Sequence, residues 1–174
     1  RVVVYDDAGG MIASRLWWML RWLGHDCVTV LVGGIQTWIR RSYPLSTEIK
    51  IHSESKFVPQ VRRWVVSAEE VLSNIRDNIF CVVDARSPDR FRGENETIDP
   101  VAGRIPGSRN RFYMDNLTTE GFFRPAEELN HEFLAVLSGY TPKQSVMQCG
   151  SGVSACHNLL AMEIAGLYGA RLYA

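Results

Sequence analysis

Residues 145–158 read Ser145-Val146-Met147-Gln148-Cys149-Gly150-Ser151-Gly152-Val153-Ser154-Ala155-Cys156-His157-Asn158. The run at 145–148 has the length and apolar character of a buried strand, and a glycine-rich loop breaks it at a cysteine. Helix-forming residues fill 154–165 and stop at Gly166, and a second apolar run occupies 170–174. Strand, tight loop, helix and strand in that order make a unit whose two strands lie parallel. In such sheets ligands bind outside the carboxyl ends of the strands, and Cys149 stands at one of those ends.

The same order occurs near the start of the chain. Residues 2–6 are an apolar run ending in Asp6, a loop with Gly9-Gly10 follows, residues 13–23 have a helical pattern that ends at Gly24, and residues 27–32 form a second run before Gly33-Gly34. Gly24 with Gly166 and Val32 with Ala174 keep one constant offset, whereas Asp6 with Cys149 is a residue further apart, so the first loop is longer by one. An internal repeat is an architectural signal. It predicts that the first copy begins at its central strand, that the second stops where the first reaches Gly33-Gly34, and that the chain is a piece of a longer two-repeat polypeptide.

Between the copies, residues 42–64 hold Pro44, Pro59, several serines and charges, the composition of a linker. The second copy opens at Val65-Val66, and Ser67 with Glu70 predicts a capping box for a helix over 68–74. Residues 80–83 read as a strand ending at Asp84, residues 92–111 as a loop, and residues 125–137 as a helix with proline in its first turn. Alternating strands and helices predict an α/β fold, a parallel sheet of about five strands with helices on both faces. The organisation expected is an incomplete first copy at 1–41, a linker at 42–64 and a fuller copy at 65–174 that is truncated at its C-terminal end.

Composition excludes several classes. The 174 residues are 46% apolar and 22% charged, enough for a real core. With 19 basic and 19 acidic residues the net charge is zero, against the basic excess of a nucleic-acid binder. No apolar stretch reaches the roughly 18 residues of a membrane span. The first residues show no signal peptide. The four cysteines include no C-x-x-C pair, so neither a zinc site nor a disulfide scaffold is expected. Free thiols suit a reducing compartment, the cytoplasm.

Small loop residues leave backbone N–H groups free to point inward at Cys149, and the helix that follows adds the positive end of its dipole. A thiol in that position ionises below its usual pKa of about 8.5. Ser151 and Ser154 can donate to a sulfur anion, and Ser154 could also cap the helix. Cys81 and Cys27, within apolar runs, read as packed core residues, as does Cys156 within the helix.

These stretches resemble the rhodanese superfamily, and within it the two-domain 3-mercaptopyruvate sulfurtransferases. Cys149-Gly150-Ser151-Gly152-Val153-Ser154-Ala155 resembles the C-G-S-G-V-T-A active loop, Asp84-Ala85-Arg86 with Arg90-Phe91-Arg92-Gly93 resembles the D-S-R…R-F-R-G segment, and Gly103-Arg104-Ile105-Pro106-Gly107 resembles G-H-I-P-G. Val4-Tyr5-Asp6, Trp17-Trp18-Met19 and Gly33-Gly34 with Trp38 resemble the inactive amino-terminal domain, where Asp6 stands in place of the cysteine.

The resemblance implies a persulfide mechanism with no cofactor and no metal. Cys149 takes a sulfur from a small-molecule donor, the loop residues Gly150, Ser151, Gly152, Val153 and Ser154 hold the anionic persulfide, and a thiol or cyanide removes the sulfur. Arg90 becomes the clamp for the donor's carboxylate. Asp84 and Arg86 read as structural. The uncharged Gly150 and Ser151 suit a monoanionic 2-oxo acid thiol better than the dianion thiosulfate, whose specific enzymes carry basic residues there. The alternatives are a thiosulfate:cyanide sulfurtransferase, a non-catalytic rhodanese binding module, and a phosphatase, which would need an arginine where the loop has Ser154 and Ala155. No nucleic-acid or membrane partner is implied. The sequence departs from the family at Ser154 (threonine) and Arg104 (histidine), and residues 94–100 lack the family's second arginine and are acidic. The family's His and Asp partners of the loop serine come from the early part of the first domain, which precedes the residues present here.

Overall fold

The computed structural model describes all of residues 1–174. In chain order the elements are β1 (Val2–Val4), α1 (Met11–Trp22), β2 (Val28–Val30), α2 (Gly34–Arg40), α3 (Ala68–Asp77), β3 (Cys81–Asp84), α4 (Pro88–Arg92), β4 (Arg109–Asn110), α5 (Ala126–Leu137), β5 (Ser145–Gln148), α6 (Val153–Ile164) and β6 (Arg171–Tyr173), with short 3-10 turns at Tyr113–Asn116 and Pro142–Gln144. Residues 42–64 contain no helix and no strand.

All strand pairings are parallel. β4, β3, β5 and β6 form one four-stranded sheet in that order, and β1 pairs with β2 in a separate two-stranded one. Strands β3 and β5 are buried along their whole length, as expected of parallel strands covered on both faces. Side chains alternate accordingly. Cys81, Val83 and Met147 join the large core with α1, α5 and α6, whereas Val82 and Val146 pack with Val66, Val71 of α3 and Phe80 on the other face. The large core draws on both parts of the chain, with Trp17 and Trp18 of α1 among the same cluster as Leu159 and Leu160 of α6.

The sheet has four strands rather than the five expected. The fifth position is a single bridge, Val65 to Leu172, with Val66 N–H donating to the Leu172 carbonyl at 2.8 Å. Pairing stops there because the chain turns into α3 at once: Ser67 accepts from Glu70 N–H while its own N–H donates to the Glu70 carboxylate, the expected capping box. Three other expectations are corrected. Pro125 is the N-cap of α5 rather than part of its first turn. Ser154 makes no cap, because Gly152 holds that position and places Ser154 inside the helix. Cys27 is exposed, since it precedes β2 instead of lying within it.

His157 ties α6 to the first loop. Its ring is fully buried, stacked on Phe123, with Nε2 3.2 Å from the Gly9 carbonyl and Nδ1 3.2 Å from the Asn116 amide. The neutral ring with its proton on Nε2 satisfies both contacts, because the Asn116 amide nitrogen donates to Nδ1. Burial pushes its pKa down to about 4, against smaller opposing effects of Gly9 and Asp6. A base with a depressed native pKa withholds a proton that the unfolded chain takes up. Stability is therefore complete above the ordinary value of 6.5 and falls as the pH drops towards 4. Denaturant titrations at both ends of that window are expected to differ by about 3 kcal/mol more in the wild type than in His157→Gln.

Candidate active site

Cys149 leaves the carboxyl end of β5 half-buried, next to β3 and β6. The Gly152 N–H donates to its Sγ at 3.0 Å. Gly152 adopts a left-handed conformation, φ +75°, as the N-cap of α6. A side chain there would also begin 2.7 Å from the Ala174 Cβ and 2.8 Å from the Arg15 Nη1, so the position requires glycine twice over. The loop thereby turns an N–H and the start of a helix toward the sulfur.

The turn between β1 and α1, also strand, loop and helix in order, shows what such a loop can hold. Asp6 follows β1 as Cys149 follows β5, and its carboxylate accepts four backbone N–H groups: Ala8 at 3.0 Å and Gly10 at 2.8 Å on Oδ1, Ile12 at 2.8 Å and Ala13 at 2.7 Å on Oδ2. Burial alone would raise its pKa, but the donors Ala13, Gly10, Ala8 and Ile12 together hold it below the ordinary 3.8. There the strand–loop–helix turn is an anion cradle already filled by its own side chain.

Arg90 lies in α4 with one-fifth of its side chain exposed. It is not free: Nη2 meets Glu96 at 2.8 Å and Asp99 at 3.0 Å, and Nε meets Glu96 at 3.1 Å. The acidic stretch noted for lacking an arginine therefore folds back onto Arg90. Arg90 first, then the N–H groups of Asp99 and Ile98, bring the Glu96 pKa down to about 2. Arg86 is buried against Asp84, which is fully buried, and also donates to the Gly103 carbonyl at 2.6 Å. Arg104 stacks over Phe91, 4.8 Å from the ring centre.

Two clefts meet at the cysteine. One, of about 600 Å³, is walled by Cys149, Gly150, Ser151, Val153, Ser154 and Arg90, together with Met11, Ile12, Phe112 and Tyr113. Gly152 is behind this wall. The other, of about 450 Å³, holds Arg104 with Gln148, Cys149 and Gly150. Cys149, Gly150, Arg86 and Asp99 belong to both. A separate groove of about 380 Å³ beside β2 contains no cysteine. Cys156 is fully buried and its thiol is pushed up to about 12 by that burial, only partly offset by Arg15, so it stays protonated. Sequence reasoning missed Asp99, whose position depends on how the loop folds back. It also missed the apolar wall from Met11 and Ile12, which arises only when the two parts of the chain pack together.

Comparison with known proteins finds relatives of the same overall fold. The family model for the Rhodanese-like domain matches residues 1–41. The chain is 41% identical over 176 aligned positions to a probable 3-mercaptopyruvate sulfurtransferase of Pseudomonas aeruginosa, covering all of this chain and 62% of that protein. It is 36% identical to thiosulfate sulfurtransferase of Bos taurus, covering 99% of this chain and 60% of that one. Among solved structures it superposes on the 3-mercaptopyruvate sulfotransferase SseA of Escherichia coli, of rhodanese fold, with TM-score 0.82 and 31% identity over 98% of this chain and 64% of that one. The chain thus spans about three-fifths of the length of these relatives. In fold and in sequence, it is similar to proteins of the rhodanese superfamily.

Proposed function

We propose that the chain carries the sulfur-transfer centre of a 3-mercaptopyruvate sulfurtransferase, with Cys149 as the catalytic nucleophile. The observation that carries this reading is the Gly152 N–H on the Cys149 sulfur at the mouth of an open cleft, in a loop whose counterpart cradles the Asp6 carboxylate. The Cys149 thiolate attacks the donor sulfur. The new S–S bond forms as the donor's C–S bond breaks, and the electron pair leaves on the enolate of pyruvate, which then takes up a proton. The persulfide anion rests among Gly150, Ser151, Gly152, Val153 and Ser154. An acceptor thiolate or cyanide then attacks the outer sulfur and releases the Cys149 thiolate, so no external oxidant or reductant is needed. Arg90 receives the donor's carboxylate through its guanidinium fork.

Residues 65–174 are proposed as the catalytic copy, 1–41 as the end of an inactive copy and 42–64 as their linker. The names of the relatives support the chemistry, and the full activity is assigned to the whole natural polypeptide. A reducing compartment such as the cytoplasm would keep Cys149 free. No helix is long and apolar enough to cross a membrane.

Incubation with 3-mercaptopyruvate and no acceptor tests the reading. The protein should gain about 32 Da at Cys149, lost on reduction. Arg90→Ala should lower kcat/KM for the donor about tenfold to a hundredfold, the scale of a charge-assisted hydrogen bond, with Arg90→Lys recovering part. The bovine relative's name keeps thiosulfate as the second donor to compare. A much higher rate with thiosulfate would overturn the choice of substrate, because the loop offers no basic side chain to a dianion.

A further inference from the structure

We propose that Asp99 selects the charge of the molecules that reach Cys149: its carboxylate occupies the cleft-facing side of Arg90, so an anionic donor must displace it and a dianionic donor is penalised more. The inference rests on the reading of this site as a sulfur-transfer centre with Arg90 as its anchor.

Position is the first argument. Asp99 borders both clefts that meet at Cys149, and its Oδ1 lies 3.8 Å from where a side chain on Gly150 would begin. The second argument is the contrast with Glu96. Glu96 is 3% exposed and accepts the backbone N–H groups of Ile98 and Asp99, both at 2.9 Å, in addition to Arg90. It is a fixed part of the loop. Asp99 is 34% exposed and its carboxylate accepts only guanidinium N–H groups, from Arg90 at 3.0 Å and Arg86 at 3.5 Å. It can leave without unmaking the loop backbone.

Charge counting is the third. Arg86 is matched by Asp84 and Arg90 by Glu96, so Asp99 is the surplus carboxylate of the cluster. A carboxylate that approaches through the cleft of Arg90 therefore meets one negative charge in excess, whereas the other cleft also holds the cation Arg104. Released from Arg90, Asp99 remains in the cleft, and its repulsion grows with each further charge on the donor. Neutral or cationic thiols meet no such penalty, which fits them to the acceptor role.

The test uses the whole natural polypeptide and the variants Asp99→Asn and Asp99→Ala. Alkylation of Cys149 by iodoacetate and by neutral iodoacetamide is followed by peptide mass spectrometry, with the exposed Cys27 as the reference within the same molecule. Removing the charge should raise the iodoacetate-to-iodoacetamide rate ratio at Cys149 about fivefold to tenfold and leave the ratio at Cys27 unchanged. KM for 3-mercaptopyruvate should fall by a similar factor with kcat retained, and thiosulfate should gain more than 3-mercaptopyruvate. An unchanged ratio at Cys149, or a KM that rises because Asp99 holds Arg90 in place, overturns the proposal. A raised ratio in a protein that transfers sulfur from neither donor upholds charge selection at Cys149 and rejects the sulfurtransferase reading instead.

Discussion

A Cys149→Ser variant is expected to lose sulfur transfer by about a thousandfold or more while folding normally. Serine keeps the shape of the site, because the Gly152 N–H that lies 3.0 Å from the sulfur can donate to a hydroxyl oxygen as well. Cys149 is only half-buried, so losing the larger sulfur atom leaves no sizeable cavity. What changes is the chemistry. A hydroxyl is scarcely ionised near neutral pH, and its oxygen cannot carry a transferable sulfane sulfur. None of the other thiols can take over. Cys156 is fully buried with its pKa pushed to about 12, Cys81 is buried and likewise raised by that burial, and Cys27 is not part of either cleft at Cys149. The measurement is the rate of sulfur transfer from 3-mercaptopyruvate to a thiol, alongside the denaturation midpoint. A variant that keeps the rate removes Cys149 from the mechanism. A variant that loses rate and stability together would make the loss structural.

The sites that could be read from the sequence are those fixed by neighbours along the chain. The run 145–148 and the loop Gly150–Gly152 impose a strand and a turn by local propensity, so β5, the cysteine at its end and α6 were legible. Ser67 with Glu70 predicted a capping box because both partners lie within one helical turn. What escaped depends on distant segments meeting. The carboxylate partners of Arg90 come from a loop with no regular structure, and nothing in Glu96 to Asp99 announces the fold-back. The wall from Met11 and Ile12 exists because α1 and α6 share one core. The expected fifth strand failed for a local reason that was itself legible: the capping box at Ser67 turns the chain away after one bridge. Asp6 was read as a mere replacement for cysteine. Its four N–H partners show instead that the turn between β1 and α1 favours an anion.

Arg86→Met is expected to destabilise the protein by about 3–5 kcal/mol, a large part of the stability of an ordinary domain. Asp84 ends β3 in the middle of the sheet and is fully buried. Its two oxygens accept from Arg86 Nε at 3.1 and 3.0 Å, from Nη2 at 2.8 Å and from the Arg86 backbone N–H at 2.9 Å. Methionine retains the volume of the stem and the backbone donor but strands a buried carboxylate without its counter-charge. The Gly103 carbonyl, 2.6 Å from Nη2, loses its donor as well, which loosens the loop over the second cleft. The penalty has a pH signature. A lone buried carboxyl has a native pKa above its unfolded value, so the folded variant prefers the protonated form. The deficit is therefore complete at neutral pH and shrinks as the pH falls through the raised pKa toward the ordinary carboxyl range. Pairing the change with Asp84→Leu removes the stranded charge and should recover most of the loss, since a buried ion pair replaced by apolar groups is often close to neutral. Denaturant titration of the two single variants and the double variant, at neutral and at acidic pH, reads all of these effects. Simple additivity of the two substitutions, or a deficit independent of pH, would show that Asp84 and Arg86 do not act as a pair.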